Sequence, residues 1–319
     1  MNQEICVSII CNVYNHGAYL RDALEGFVSQ KTNFKYEILI HDDASTDQSA
    51  EIIREFEEKY PDLVKPIYQS VNQYSQNVSI TRMIQLPRVR GRYIAMCEGD
   101  DYWTDPQKLQ KQFDFMEANP EYSLCATSIA WLDVRTGKIR NKCTTVQDRD
   151  VSMEEIILET NGRVFQYATI FSKADVFITQ PAWATIFSVG DTPLEMYAAL
   201  CGKIRMLADV TAVYRNHADG SWTARIDRNP QYKIASFQHM INGFAAFNDA
   251  TDGCYDAVVS KRIRQLKYKI GRLSRDWDML RSEELRDVYA SRRLTAKISD
   301  FLYCKAPGLQ ALIMKLLKV

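Results

Sequence analysis

Apolar residues in the first third of this chain gather in short runs, and most runs are followed by a stretch with helical spacing. Ile5 to Cys11 is the first run, the pattern of a parallel strand buried on both faces. A polar turn, Asn12-Val13-Tyr14-Asn15-His16-Gly17, leads to Leu20, Leu24, Phe27 and Val28 on one helical face. Tyr36 to His41 is a second strand and ends in the carboxylate pair Asp42-Asp43. Ser45 with Gln48 is a capping-box signal for a helix containing Ile52, Ile53 and Phe56. Leu63 to Tyr68 reads as a third strand and Asn77 to Leu86 as a helix closed by Pro87. This rhythm predicts a doubly wound, mostly parallel α/β sheet.

The fourth strand, Arg92 to Cys97, runs directly into Glu98-Gly99-Asp100-Asp101-Tyr102-Trp103. Ligands of open α/β sheets sit beyond the carboxyl ends of strands. Three acids crowded there repel one another unless a cation or a ligand offsets their charge. Asp105-Pro106 reads as an N-cap followed by the first helical residue, with Leu109, Phe113 and Met116 at helical spacing and Asn119-Pro120 as the stop. The acids therefore lie on a strand-to-helix crossing, a place suited to a metal-bound phosphate. The plainer reading of the same stretch is a solvated acidic turn.

Beyond Tyr122 the alternation weakens. Ser123 to Trp131 and Phe165 to Phe171 look like strands, with a capped helix from Ser152 to Glu159 between them. Gly190-Asp191-Thr192-Pro193 introduces a helix through Leu200 that Gly202 ends. Ile204 to Leu207 and Thr211 to Tyr214 are two short strands. From Pro230 onward the pattern is helical, and Leu309, Leu312, Ile313, Leu316 and Leu317 share a face with Lys315 and Lys318 outside it. We expect an α/β domain over residues 1–225 and a helical, basic region over 226–319.

Composition adds one thing to this picture. The 319 residues carry no net charge, yet residues 261–319 hold 15 Lys/Arg against 6 Asp/Glu, leaving the rest at −9. A basic tail on an acidic body points to an anionic surface, with a lipid headgroup layer expected rather than nucleic acid. The eight cysteines form no Cys-x-x-Cys pair, which suits a reduced, cytoplasmic protein. The first residues lack the basic and apolar regions of a secretory signal, and no stretch reaches 18 continuous apolar residues.

Val7-Ser8-Ile9-Ile10 with Tyr14-Asn15, then Asp42-Asp43-Ala44-Ser45-Thr46-Asp47, Glu98-Gly99-Asp100-Asp101, Gly190-Asp191 and Tyr214-Arg215-Asn216-His217 come in an order that resembles glycosyltransferase family 2. The resemblance covers about residues 5–222. It implies the GT-A fold, a Rossmann-like, mostly parallel sheet flanked by helices, here with a C-terminal helical extension. Two departures are visible: Glu98-Gly99 stands where Asp-x-Asp is usual, and Gly190-Asp191 where Glu-Asp is usual.

The family's activity agrees with elementary chemistry. Breaking a sugar–diphosphate bond needs a cation to neutralise the leaving nucleotide. Carboxylate oxygens suit Mn²⁺ or Mg²⁺. The resemblance implies Asp101 as direct metal ligand, Asp100 near the ribose or donor sugar, Tyr14 against the base and Asp43 accepting a hydrogen bond from a uracil-type N–H. Asp191 is the candidate base that deprotonates an acceptor hydroxyl, displacement from the opposite face inverting the anomeric centre. His217 would ligate the metal or touch phosphate, Trp103 and Trp222 would stack on sugar rings, and Arg82 would reach the diphosphate. Each has a plain structural alternative: a helix-dipole partner for Asp43, a packed loop ring for Tyr14, a helix cap for Asp191, a core ring for Trp103, and a solvated face for Arg82.

The expectation is a metal-dependent, inverting glycosyltransferase that moves a sugar from a nucleotide-diphosphate donor, a UDP-sugar, to a hydroxyl of a glycan or lipid-linked acceptor in surface polysaccharide synthesis. It would work in the cytoplasm at the inner face of the membrane, with its C-terminal region on anionic lipid or packed on itself or on a second copy. The rivals are a nucleotidyltransferase, which would carry a Gly-rich phosphate loop where only Gly17 stands, and a non-catalytic scaffold that binds sugar nucleotides.

Overall fold

The computed structural model describes residues 4–142, 145–159, 164–216 and 229–309. The chain divides into two compact units, one of Met1–Gln180 and Leu194–Ala224, the other of Pro181–Pro193 and Arg225–Val319.

The first unit opens with β1 (Ile5–Val13), α1 (Leu20–Val28), β2 (Lys35–Asp42), α2 (Ser49–Lys59), β3 (Val64–Tyr68) and β4 (Tyr93–Met96). These four strands pair in parallel in the order β3-β2-β1-β4. Successive residues of a strand point to opposite faces, so a sheet covered on both sides is apolar at most positions, and the buried exceptions Ser8 and Glu37 pair with each other at 2.7 Å. Ile9 and Ile10 are both fully buried, as are Ile38 and Ile40. The shared direction brings the carboxyl ends of β1, β2 and β4 to one edge.

The sheet continues through β5 (Tyr102–Trp103), α3 (Lys108–Ala118), β6 (Tyr122–Asp133), β7 (Lys138–Lys142), β8 (Arg149–Val151), α4 (Met153–Leu158), β9 (Phe171–Lys173), α5 (Ala174–Ile178), α6 (Asp191–Cys201) and β10 (Lys203–Asn216). The order is β3-β2-β1-β4-β9-β6-β10-β5, with β7 on β6 and β8 on β10. β9 is antiparallel to both β4 and β6, so β6 runs the same way as β4, and β10 is parallel to β6. The long strands thus share one direction, and the short strands β5, β7, β8 and β9 oppose it. The GT-A type of α/β sheet expected from the sequence is present.

Local departures have local causes. The segment expected as a helix from Asn77 is a π-helical turn, Thr81–Gln85, followed by a 3₁₀ turn, Leu86–Arg88. Gln85 is buried there and donates to the carbonyl oxygens of Cys11 (3.2 Å) and Leu39 (3.1 Å), while Thr81 accepts from Asn12 Nδ2 at 3.0 Å. The Phe165–Phe171 strand is replaced by a 3₁₀ turn, Tyr167–Thr169, ahead of β9. The two strands expected at Ile204 and Thr211 are one, β10, with register irregularities around Leu207 and Val210. α3 starts at Lys108, two residues later than Asp105-Pro106 suggested, although the Asp105 carboxylate does accept the Gln107 N–H at 2.8 Å, the bond expected of a cap, and also meets Lys111 at 2.9 Å. The capping box of Ser152 and Glu155 is formed in both directions.

The second unit contains α7 (Pro230–Ala250), α8 (Asp256–Leu273), α9 (Trp277–Leu280), α10 (Arg286–Ser291) and α11 (Leu294–Lys305). Asn229 caps α7 by accepting the Gln231 N–H at 3.0 Å. Gly243 of α7 lets the Phe187 ring approach so closely that a Cβ would lie 2.5 Å from it. Trp183 meets Phe247 edge-on at 5.0 Å, which is how residues 181–193 join this unit. Among the described residues no helix is long and apolar enough to cross a membrane. Residues 310–319, with most of the expected C-terminal amphipathic segment, lie outside the described residues.

Candidate active site

The loops leaving β1 and β2 are tied to each other by backbone donors. The N–H groups of Asn15, His16 and Gly17 donate to Ser45 Oγ (3.0 Å), Ser49 Oγ (2.9 Å) and Asp47 Oδ2 (2.8 Å). Asn15 Oδ1 in turn accepts the Thr46 N–H at 2.8 Å. Asn15 (φ 55°) and Ala44 (φ 60°) take the left-handed conformation that such tight turns require. This corrects the role expected of Ser45. Its hydroxyl serves the neighbouring loop, and Asp47 accepts the Ser49 N–H at 2.9 Å at the start of α2. Burial opposes the charge of Asp47, but these donors hold its carboxyl below the usual range. Tyr14 stands at the rim of this knot, 41% exposed.

Asp43, at the carboxyl end of β2, is buried. Its Oδ1 accepts the Gln73 N–H at 2.6 Å and its Oδ2 the Tyr74 N–H at 3.0 Å. The carboxylate thereby fixes the segment that follows β3. Each oxygen keeps a second lone pair, so acceptance from a ligand N–H stays open to it.

At the end of β4 the three acids take different directions. Glu98 turns back to β1, accepting from the Asn12 N–H (3.2 Å) and from Asn12 Nδ2 (3.4 Å). Gly99 has no room for a side chain: a Cβ would lie 2.8 Å from His16 Nδ1 and 3.1 Å from Leu20 Cδ1. Asp101 is 5% exposed and its Oδ1 accepts the Arg215 N–H at 2.8 Å. Burial, and then the like charge of Asp100, push the Asp101 carboxyl well above its ordinary range despite that donor.

Arg215, near the end of β10, is the strut behind these acids. Its guanidinium donates to the Asp100 carbonyl oxygen at 3.0 Å and to the Asp22 carboxylate of α1. It also lies over the rings of Tyr102 (4.3 Å) and Tyr19 (5.2 Å). A fork of five donors on a flat, weakly hydrated cation can serve all of these at once.

Among the described residues no three His, Cys, Asp or Glu side chains converge as a ready cage for a metal. Mg²⁺ and Mn²⁺ do not need one, since one or two carboxylates plus substrate phosphates suffice. Asp101 and Asp100 offer hard oxygens side by side, the kind of donor these ions take. The residues present fit such an ion. His217 follows directly on β10; it and Trp222 lie outside the described residues.

Residues 8–182, which carry β1, the Asp42-Asp43 turn and the acidic end of β4, match the model of glycosyl transferase family 2. The chain belongs to that family. An uncharacterized protein of Mycobacterium tuberculosis is 34% identical over 227 residues, which is 70% of this chain and 62% of that protein. The chain thus spans less than two thirds of that relative's length. A putative glycosyltransferase of Bacillus subtilis, EpsE, is 28% identical over 58% of this chain and 63% of its own. Among solved structures, S. aureus TarS 1–349 in complex with UDP-GlcNAc superposes with a TM-score of 0.62 at 17% identity, covering 97% of this chain and 84% of that one. Identity that low shows the shared fold alone.

Against this family background the remaining residues fall into place. Trp103 is a core ring and not an open platform for a sugar. It is 4% exposed, donates Nε1–H to the Ala168 carbonyl oxygen at 2.8 Å, and meets Phe27 edge-on at 4.8 Å. Arg82 is exposed on the π-helical turn. Asp191 is the first residue of α6, and its Oδ1 accepts the Thr192 N–H at 2.9 Å. It belongs to the second compact unit, whereas Tyr14, Asp43, Asp100 and Asp101 share the carboxyl edge of the sheet in the first. Three residues escaped sequence reasoning. Asp22 and Arg215 are 193 positions apart, and His16, whose Nδ1 packs behind Gly99, looked like one more polar turn residue. The motif containing Arg215 was the only signal available for any of them.

Proposed function

We propose that this member of glycosyl transferase family 2 is a metal-dependent, inverting glycosyltransferase that uses a nucleotide-diphosphate sugar, with a UDP-sugar as donor. The observation that carries this reading is Asp101, a buried carboxylate at the carboxyl end of β4 that is pinned by Arg215 and crowded by Asp100. Asp101, with Asp100 beside it, would hold Mn²⁺ or Mg²⁺, which when bound supplies the charge that lets a nucleotide diphosphate leave. Tyr14 offers an exposed ring for the base, and Asp43 a spare lone pair for a uracil-type N–H. Asp191 is assigned as the base that takes the proton of the acceptor hydroxyl. Bound UDP-GlcNAc in TarS, and GDP-Man with Mn²⁺ in a mannosyltransferase of Pyrobaculum calidifontis, support the donor class and the metal. The acceptor we assign is a hydroxyl of a glycan or lipid-linked chain in surface-polysaccharide assembly on the cytoplasmic face of a membrane. A relative from B. subtilis named as a putative teichuronic acid biosynthesis glycosyltransferase supports that choice.

The test is donor hydrolysis by the purified chain across a panel of UDP-, GDP- and dTDP-sugars, with Mn²⁺, with Mg²⁺ and with chelator. One UDP-sugar should be cleaved with a divalent ion and spared without it. Cleavage that ignores chelator overturns the metal assignment, and inertness toward every donor overturns the enzyme.

A further inference from the structure

α11 is packed inside out. Its buried face carries Asp300, which is fully buried and accepts from Tyr268 Oη at 2.8 Å. Arg272 Nε and Arg292 Nε reach the same carboxylate at 2.9 Å and 2.7 Å. Its outward face carries Leu294, Ile298 and Phe301, spaced as neighbours on one helical stripe and 72%, 50% and 45% exposed. A helix that only had to cover its own domain would turn these over, because apolar area left in water costs free energy and a buried carboxylate needs partners. Here the Asp300 network fixes the helix with its apolar stripe in solvent. Trp277 borders the stripe, meeting Phe301 edge-on at 5.3 Å.

Along α11 the charges other than the buried Asp300 are of one sign, while the exposed Asp276 and Asp278 flank Trp277 at the edge of the stripe. From Val288 to Leu309 there are four Lys/Arg and a single acid, Asp300, which is buried and paired. Arg293 stands beside the stripe and Lys305 continues its row, both exposed. A second copy meeting this face by two-fold symmetry would set these cations against their own kind. Three apolar side chains are also few beside the roughly 20–30 residues a side of a stable protein interface. An anionic bilayer surface removes both objections: the acyl boundary takes the apolar stripe, and the headgroups take the cations.

We infer that α11 is a membrane-surface docking element for anionic lipid, built from Leu294, Ile298 and Phe301 with Arg293 and Lys305 at their rim. The inference stands apart from the glycosyl-transfer reading.

Flotation of the full chain with vesicles tests it. The parent should float with phosphatidylglycerol-containing vesicles, far less with pure phosphatidylcholine, and less as salt rises. The triple variant Leu294→Ser, Ile298→Ser, Phe301→Ser should bind at least about tenfold more weakly, since each exposed apolar group contributes when it leaves water. Arg293→Glu with Lys305→Glu should lose the preference for anionic vesicles, an independent readout if the triple variant melts early. A parent that ignores anionic vesicles, or one that floats equally with neutral ones, overturns the inference. So does a triple variant that binds as the parent does, or a parent dimer in sedimentation that the triple variant dissolves. Donor hydrolysis without vesicles, measured on the same preparations, should be unchanged by the triple variant and reports separately on the catalytic reading.

Discussion

Arg215 holds Asp101 through its backbone and the rest of the acidic turn through its side chain. The N–H meets Asp101 Oδ1 at 2.8 Å, and the guanidinium spans from the Asp100 carbonyl oxygen to Asp22 on α1. A change at the side chain therefore leaves the bond to Asp101 in place but frees the turn that carries it. Arg215→Lys keeps the charge and loses the fork, so we expect a cost of about 1–2 kcal/mol in stability and a weaker Mn²⁺ titration midpoint. Asp22→Asn, half-exposed and one bond away, should weaken Mn²⁺ binding less. Thermal melts and Mn²⁺ titration with a fluorescent competitor read both quantities; an unmoved midpoint in Arg215→Lys means the strut does not position the acids.

Asp101→Asn should separate stability from ligand binding. The folded protein holds this carboxyl above its ordinary range, which means the charge is unfavourable where it stands. An amide of the same shape can still accept the Arg215 N–H. We therefore expect the variant to melt no lower than the parent at neutral pH in the absence of metal, while Mn²⁺-dependent donor binding disappears. Calorimetric titration with UDP-sugar and Mn²⁺ checks it, and equal affinity in variant and parent would falsify the ligand role.

Most of the parallel sheet was legible because two-sided burial writes itself as largely apolar runs, as in Ile5–Cys11, broken only by Ser8, and Tyr36–His41, broken by Glu37 and closed by His41. The acidic edge was legible for the same reason, since the acids follow such a run without a break. What stayed hidden depends on distant partners. β9 is three residues long and shows no period, yet it joins β4 to β6. A lysine at a helix start gives no local sign of burial, yet Lys108 is fully buried with its ammonium 4.3 Å from the Trp103 ring. Sequence left Trp103 between a sugar platform and a core ring, and that same packing makes it the core ring. Nothing local to Asp22 distinguishes it from any solvated acid of a helix face.

Lys108 carries a pH prediction. It donates to Gln112 Oε1 at 2.7 Å, and burial lowers its pKa from 10.5 to about 8, against the opposing pull of the nearby Cys97, Cys125 and Asp105. Below that value the ammonium is charged in both folded and unfolded chains, and the full penalty of burying it is present. As pH rises from about 8 towards 10.5 the unfolded chain holds the proton longer than the folded one, so this group's contribution to stability rises with pH. Lys108→Met removes that rise. Urea unfolding of parent and variant from pH 7 to pH 10 gives the difference directly: the advantage of the variant should shrink with pH, and a constant difference would show that Lys108 does not titrate early.

Asp191 is where the base and the helix cap must be told apart. It opens α6 and accepts the Thr192 N–H at 2.9 Å, as a residue at a helix start can do with no part in chemistry. Asparagine serves helix starts about as well as aspartate but cannot take a proton from an acceptor hydroxyl. Asp191→Asn should therefore melt within a degree or two of the parent and bind donor with similar affinity. Transfer to an acceptor should fall by about 10²–10⁴-fold, whereas slow hydrolysis of the donor by water should fall less, because water is present at high concentration and its attack depends less on one positioned base. Product formation with acceptor and with water, followed separately by chromatography, distinguishes the two. A variant that keeps most of its transfer rate assigns Asp191 to the helix alone and sends the search for the base to another carboxylate.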